Sequence, residues 1–278
     1  MPGAGVRRAA ARHEEAVGVE LLFAIGAGAY GAATAGYLAA LFGPELAFEQ
    51  WARRLLTLTL IFWAGLLAIW AVQAGVQGGV RFWLGLSGWS LCALYLGLLR
   101  RYPIAALGSF VSALATMLAL LSVFVVQPAA VSESVRSWLL RIHIGLAFVG
   151  ITAFAFATGA SLLYLAQSRS LKQKKTGLLD RRLPPLDVLD QLAYRGILVG
   201  FPFYTLALLL GSAQAVRAGE GGVHLSYVLA AVSWVIYGGV LQARLTAGWR
   251  GRRAAVLTAA GLLAALVVVA QYSLGMAR

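Results

Sequence analysis

The chain has 278 residues, of which 60% are hydrophobic and 12% are charged, and its formal net charge is +13. Ordinary globular domains carry about 25% charged residues, so this balance predicts a membrane protein. The arginines and lysines fall between apolar runs rather than on one polar face, which argues against nucleic-acid binding. The single cysteine, Cys92, excludes an internal disulfide, a CxxC redox pair and a cysteine-based zinc site.

Uncharged apolar runs recur along the chain, each close to the roughly 20 residues that a helix needs to cross a bilayer. They predict an all-α, polytopic membrane helix bundle of about eight transmembrane helices. The predicted spans are Leu21–Gly43, Leu55–Val80, Phe82–Leu99, Ile104–Val131, Ile142–Ser168, Gly196–Val216, Val223–Ala243 and Ala254–Ala277. Residues 1–20 are expected to form a loose N-terminal tail, and residues 21–278 a single transmembrane domain.

The distribution of basic residues predicts the orientation of these spans. One set of alternate connections contains 15 lysines and arginines, and the other set, which includes both termini, contains eight. The positive-inside rule therefore places both termini outside, in a multi-pass protein of the plasma membrane, which is the inner membrane of a bacterium. In this orientation His143 lies in the first turn of the fifth span, at the outer interface. His224 opens the seventh span at the same level, and His13 lies in the outer tail.

Two other patterns indicate structure rather than chemistry. Small residues recur every fourth position in the first span, a spacing that lets another helix approach closely; they are Ala24, Gly28, Ala32, Gly36 and Ala40. The segment 183–195 has Pro184 and Pro185 near its start and places Asp187 and Asp190 near a helix N-terminus. It predicts a short interfacial helix that leads into the sixth span.

The interiors of the predicted spans contain no Asp, Glu, Lys or Arg, which disfavours an ion-coupled transporter. The chain also lacks a Walker loop, an HExxH motif and a GxSxG elbow. The outer-face histidines remain as candidates for chemistry. A neutral imidazole can coordinate haem iron, and Arg141, two residues before His143, is available for a haem propionate. From the residue types alone, the favoured interpretation of His143 is an interfacial hydrogen-bonding group rather than a metal ligand.

Three phrases carry a resemblance to a known family: SWLLRIHIGLAFVGITAFAFATGASLLYLAQSRSLKQKKTG, LPPLDVLDQLAYRGILVGFPFYTLALLLG and RLTAGWRGRRAAVLTAAG. In this order and spacing, clearest over residues 137–265, they resemble the cytochrome c assembly membrane proteins of the CcsA and HemX group. The resemblance implies that His143 corresponds to an outward-facing axial ligand of haem. It also implies that haem, bound transiently, is the cofactor. Arg141 and His224 are further candidate contacts on other grounds: Arg141 is close to His143 in the chain, and His224 lies at the same outer level. For His224 the favoured interpretation is a surface histidine at a helix start.

The chain departs from the haem-presenting members of that group at several positions. They carry a tryptophan-rich outer loop of the WGxxWxWD kind, where this chain has AVRAGEGGVHLS. A histidine in a phrase like YLHTR is replaced by Gln242 in VLQAR, and the histidine of an early helix has no counterpart in the second span. By comparison with those members, most of the haem-handling apparatus is therefore missing from this sequence.

Two functional interpretations follow from the resemblance. In the first, the protein binds or moves haem at the outer face during cytochrome c biogenesis, in contact with an assembly partner. In the second, it is a HemX-like regulator or accessory subunit that acts on a haem synthesis enzyme or a membrane complex. Both favour a binding or assembly role over enzymatic turnover, with the lipid bilayer as the surrounding medium and without nucleic acid.

Overall fold

The computed structural model describes residues 3–42, 46–74, 80–124, 138–173, 183–217 and 225–273. The regular elements in these ranges are helices, in chain order α1 Gly3–Phe42, α2 Leu46–Ala74, α3 Val80–Leu99, α4 Leu107–Phe124, α5 Trp138–Lys172, α6 Leu186–Arg217, α7 Leu225–Thr246 and α8 Arg252–Ser273. All eight of these described helices are long and apolar enough to cross a membrane. The expectation of an all-α, multi-pass membrane protein is confirmed.

The helices pack as two groups of four. Helix α1 packs on α2 and α4, and α3 completes the first group by packing on the same two helices. In the second group α5 packs on α6 and α8, while α7 packs on α6 and α8. The groups meet where α5 contacts α3 and α4 and where α8 contacts α3. Helix α5 is therefore central, and its most extensive contact is with α6.

Each group is filled by aromatic side chains. In the first group, the fully buried Trp63 stacks on Tyr30 at a centroid distance of 5.9 Å and meets the edge of Phe23 at 5.2 Å. In the second group, Phe154 and Tyr237 stack at 3.6 Å, and the Tyr237 hydroxyl donates a hydrogen bond to the Thr258 carbonyl. Such rings add large areas of van der Waals contact between helices, which matters in lipid because apolar burial there gives little driving force.

The small-residue stripe predicted on α1 is only partly a packing surface. A Cβ at Gly36 would lie 2.8 Å from the Trp51 ring, so Gly36 does permit close approach of α2. At Gly28, by contrast, nothing lies within 4 Å of such a Cβ, and Ala24 is exposed. The prediction is wrong for this half of the stripe. The buried face of α1 there is set by Phe23, Tyr30 and their neighbours, because large rings provide more contact than a smooth strip.

Two helices are longer than the predicted spans. The backbone of α1 is helical from Gly3, and its Ala-, Arg- and Glu-rich first half has high helix propensity. The segment expected to form a separate interfacial helix is the first part of α6, which runs without a break from Leu186 to Arg217. Asp187 lies in its first turn, as predicted, and Leu189 and Ala193 are buried. The glycine-rich segment 75–79, where the sequence predicts a turn between the second and third spans, lies outside the described residues.

One end of the bundle is formed by the C-termini of α1, α3, α5 and α7 and the N-termini of α2, α4, α6 and α8; we call it the basic face. There Arg244, near the end of α7, forms a bidentate ion pair with Asp190 of α6. The Asp190 carboxylate also accepts a hydrogen bond from the Gly251 amide at 3.2 Å, and both side chains are about nine-tenths buried. The pair thereby ties α6 to both helices of the α7–α8 hairpin.

We expect Asp190→Asn to destabilise the protein by about 3 kcal/mol, because it removes the charge that compensates the buried Arg244 guanidinium. The thermal unfolding midpoint of the purified protein in detergent would measure this effect. Asp187→Asn is the matched control: Asp187 is exposed and its described partner is the Gln191 amide, so its effect should stay within about 0.5 kcal/mol. Equal midpoints for the two variants would contradict the structural role assigned to the pair.

Candidate functional site

His143 lies near the start of α5, at the end of the bundle opposite the basic face; we call that end the histidine face. The side chain is half-buried and turned toward α6. Its Nδ1 atom lies 2.6 Å from the carbonyl oxygen of Ala207, 64 residues further along the chain. The imidazole therefore bridges the two helices that make the most extensive contact in the molecule.

The partner of Nδ1 determines which nitrogen of the ring is available for coordination. A carbonyl oxygen can only accept a hydrogen bond, so Nδ1 must carry the proton that is donated to Ala207. In the neutral ring the lone pair then lies on Nε2, the form in which a histidine binds a metal. Among the described residues, none forms a hydrogen bond with Nε2. The geometry is that of a ligand whose orientation is held by one nitrogen while the other stays available.

Gly211 forms the wall against which the imidazole packs. A Cβ placed on Gly211 would lie 2.7 Å from Cε1 and 3.1 Å from Nδ1 of His143. Any larger residue at this position would force the ring to move. Ala207 and Gly211 are one helical turn apart on α6, so the hydrogen-bond acceptor and the packing surface belong to the same short stretch of backbone.

The two backbones come this close because small residues line the contact along its length. A Cβ on Gly150 would lie 3.0 Å from the Tyr204 nitrogen, and one on Gly196 would lie 2.9 Å from the Ala153 carbonyl oxygen. A Cβ on Gly200 would lie 3.0 Å from the Gly150 carbonyl oxygen. These glycines form a close-packing surface of the kind that joins membrane helices. His143 lies at the end of that surface.

The other predicted site residues do not join His143 in the described structure. Arg141 precedes it by two positions, which places the two side chains about 200° apart around the helix. The Arg141 guanidinium is half-buried and takes part in contacts of its own. His224 lies outside the described residues, as does the side chain of His13. The roles predicted for Arg141 and His224 stay predictions.

The number of side chains that could coordinate a metal limits which metal or cofactor this site could bind. Within the described ranges, no group of three or more His, Cys, Asp or Glu side chains is placed to hold a bare metal ion. A single oriented imidazole is too small a set for structural or catalytic zinc, which needs three or four protein ligands. It is sufficient for one axial position on a haem, whose other iron ligands come from the porphyrin. The residues present therefore fit haem better than a free ion.

Sequence reasoning identified His143 but not the residues that orient it. Ala207 and Gly211 lie in an ordinary-looking apolar run, and their role depends on which face of α6 meets α5. The available signal was the helical spacing of small residues at Gly196, Gly200, Ala207 and Gly211, which marks one continuous side of α6.

The site lies toward one end of the bundle rather than at its middle. Along α6, Ala207 is seventeen residues from Asp190 on the basic face, a rise of about 26 Å. This distance is close to the roughly 30 Å thickness of the hydrocarbon layer of a bilayer. The histidine site and the ion pair are therefore separated by nearly the thickness of that layer.

The fold and the site together define a polytopic membrane protein that holds an imidazole near one end of its helix bundle, with Nε2 free of hydrogen bonds among the described residues. Residues 58–274 match the family model described as "Cytochrome C assembly protein". The match covers more than three quarters of the chain, and the protein belongs to that family.

Curated relatives share the name "Cytochrome c biogenesis protein CcsA". The protein from Crocosphaera subtropica is 32% identical over 111 residues, which are 38% of this chain and 32% of the relative. The one from Prochlorococcus marinus is 30% identical over 154 residues, 47% of this chain and 49% of the relative. The chain therefore matches only about a third to a half of the length of these relatives. No solved structure matches the chain.

We expect Gly211→Ala to displace the imidazole and to destabilise the protein by about 1–3 kcal/mol, the usual effect of overpacking. A double-mutant cycle with His143→Ala tests the cause, because removing the ring leaves space for the new methyl group. In the His143→Ala background, Gly211→Ala should lose most of its effect on the thermal midpoint. Additive effects would contradict the contact. Gly239→Ala is the control, since nothing lies within 4 Å of the position that its new methyl group would take.

Proposed function

We propose that this protein acts in cytochrome c biogenesis by holding haem transiently at the histidine face, with Nε2 of His143 as an axial ligand. The observation that carries the proposal is the Nδ1–Ala207 hydrogen bond, which places the lone pair on the free nitrogen. When bound, haem supplies an iron centre and a reactive porphyrin for transfer to an apocytochrome. The chain itself contributes the orientation of the ligand and the apolar helix surfaces beside it.

Family membership and the names of the relatives support this proposal. Both point to cytochrome c assembly, and the second interpretation, a HemX-like regulator of haem synthesis, is not favoured by them. The partners are proposed by class: an apocytochrome or another assembly component at the histidine face. The Ala207 and Gly211 contacts are positioning contacts in this proposal, because they touch His143 and not the cofactor.

Sidedness is the second part of the proposal. The basic face carries the connections with 15 lysines and arginines, so we place it in the cytoplasm and the histidine face outside, in the plasma membrane. The family resemblance implies that the histidine matching His143 faces outward. The charge distribution and the resemblance therefore assign the proposed ligand to the same side.

We expect the protein purified from haem-supplied cells to show a Soret absorption band, and His143→Ala to lower its affinity for haem about tenfold or more. Titration of haem into detergent-solubilised protein, followed by absorption, would measure this. Gly211→Ala should weaken binding through the displaced ring, and Gly239→Ala should bind as the wild type does. Replacing His143 removes one hydrogen bond, worth about 1 kcal/mol, so the variant should still fold. A wild type that binds no haem, or an unaffected His143→Ala variant, would overturn the proposal.

Orientation can be measured independently of haem. We expect a cysteine at Arg217→Cys, at the exposed end of α6, to react with a membrane-impermeant maleimide in intact cells. A cysteine at Arg250→Cys, on the basic face, should react only after the cells are permeabilised. The native Cys92 is fully buried and provides the unlabelled background. The reverse labelling pattern would place His143 in the cytoplasm and would exclude the proposed role.

A further inference from the structure

A groove of about 360 Å³ opens on the basic face, at the opposite end of the bundle from His143. Its size falls within the roughly 300–1,000 Å³ typical of small-molecule sites. It lies between the first turns of α6 and the α7–α8 connection, and its lining is formed by Asp187, Asp190, Gln191, Tyr194, Arg195, Arg244 and Arg250. None of these residues takes part in the haem site proposed above.

The charges in the groove do not cancel. Asp190 and Arg244 neutralise each other, and Asp190 has a further hydrogen bond from the Gly251 amide. The Arg195 guanidinium donates to the Tyr102 hydroxyl at 2.9 Å, a neutral partner that leaves the positive charge uncompensated. In the described part of the chain, no acidic side chain forms a salt bridge with Arg195 or Arg250. Asp187 is the remaining carboxylate, so the groove keeps a net positive charge.

The buried ion pair holds one wall of this groove in place. Arg244 is held by the bidentate pair, and its guanidinium lies 4.6 Å from the centroid of the Tyr194 ring. The α7–α8 connection is anchored by Gly251, which donates its amide hydrogen to Asp190 and whose φ of 77° is readily adopted by glycine. Arg250 directly precedes this anchored residue, so its backbone is held beside the ion pair, and the side chains of Arg195 and Arg250 are exposed and accessible to a ligand.

The surroundings of the groove are apolar on the membrane side. Leu198 and Val199, three and four residues after Arg195, share its side of α6 and are 45% and 52% exposed. A ligand with a charged head and an apolar tail would contact the arginines and these side chains together. Guanidinium groups pair well with phosphate oxygens, because several N–H donors lie in one plane.

We propose that this groove binds a phosphate group, with Arg195 and Arg250 as its cationic ligands. The shared chemistry is that of a phosphate anion, carried either by the headgroup of an anionic phospholipid or by free inorganic phosphate. The apolar residues beside Arg195 favour the lipid source. The site is new relative to the cytochrome c assembly role and does not depend on it.

Binding is tested with the full-length protein in a neutral detergent at constant ionic strength. Native mass spectrometry would measure the retention of a short-chain phosphatidylglycerol. The comparison is phosphatidylcholine of equal chain length, in which a quaternary ammonium group cancels the charge of the phosphate. We expect phosphatidylglycerol to bind about tenfold more tightly, and the double variant Arg195→Gln with Arg250→Gln to lose this preference. A parallel experiment adds inorganic phosphate to the protein and measures the thermal unfolding midpoint, which distinguishes the lipid from the free anion. If phosphate raises the midpoint and phosphatidylglycerol is not preferred, the site binds the free anion.

The matched control is a second double variant, Arg100→Gln with Arg252→Gln, which removes the same charge from exposed positions of the basic face outside the groove. It should keep the wild-type preference. Equal losses in both double variants would show that binding follows overall charge, and would overturn the proposal. A wild type that neither prefers phosphatidylglycerol nor responds to phosphate would also overturn it.

Discussion

The close approach of α5 and α6 is the constraint on which the rest of the second helix group depends. In a bilayer, transfer of an apolar side chain from lipid to a helix interface releases little free energy, because both surroundings are apolar. Membrane helices therefore associate through tight van der Waals packing and a few hydrogen bonds. The absence of side chains at Gly150, Gly196, Gly200 and Gly211 allows that packing. It also brings the Ala207 carbonyl within reach of His143, so that helix association and ligand orientation arise from one contact.

The same helix pair has different polar chemistry at its two ends. At the histidine face, the described contact is a hydrogen bond from the His143 imidazole to the Ala207 carbonyl oxygen. At the basic face, Asp190 and Arg244 form a buried ion pair that connects α6 to the α7–α8 hairpin. Between these ends, residues 196–216 of α6 and 142–168 of α5 include no Asp, Glu, Lys or Arg. Charged groups are confined to the boundaries because each would cost several kcal/mol at the bilayer centre.

The predictable parts of this structure are those governed by local sequence. Charge-free runs predicted all eight spans, because a membrane helix satisfies its own backbone hydrogen bonds and needs only sufficient apolar length. Pro184 and Pro185 marked the start of α6, and Asp187 lies in its first turn as predicted. His143 was identified from its residue type, its place near the start of a span and the family resemblance.

The parts that were missed depend on which helix faces meet. The prediction for the small-residue stripe of α1 was partly wrong, because the spacing shows only that small residues share one side of the helix. Whether another helix packs on that side depends on where the aromatic side chains of α2 lie. Asp190 and Arg244 are 54 residues apart, and neither carries a local signal that the other compensates its charge. Ala207 contributes only its carbonyl oxygen to the site, and every residue has one. No sequence pattern distinguishes it without the packing of α5 on α6.

The separation of the two polar sites bears on what the bundle can do. About 26 Å of α6 lies between the Ala207 carbonyl and Asp190, and this stretch is uncharged from Gly196 onward. Each site is built from residues near its own end of the bundle. A ligand held at His143 would need no polar path through the bundle, because it would be received and released at one interface. The uncharged interiors of α5 and α6 are therefore consistent with presentation of a ligand at one end of the bundle. In this arrangement the bundle is the scaffold that fixes the orientation of the His143 ring. A change that loosened the glycine-lined contact would then impair the histidine site without removing any residue from it, since orientation is what the contact provides.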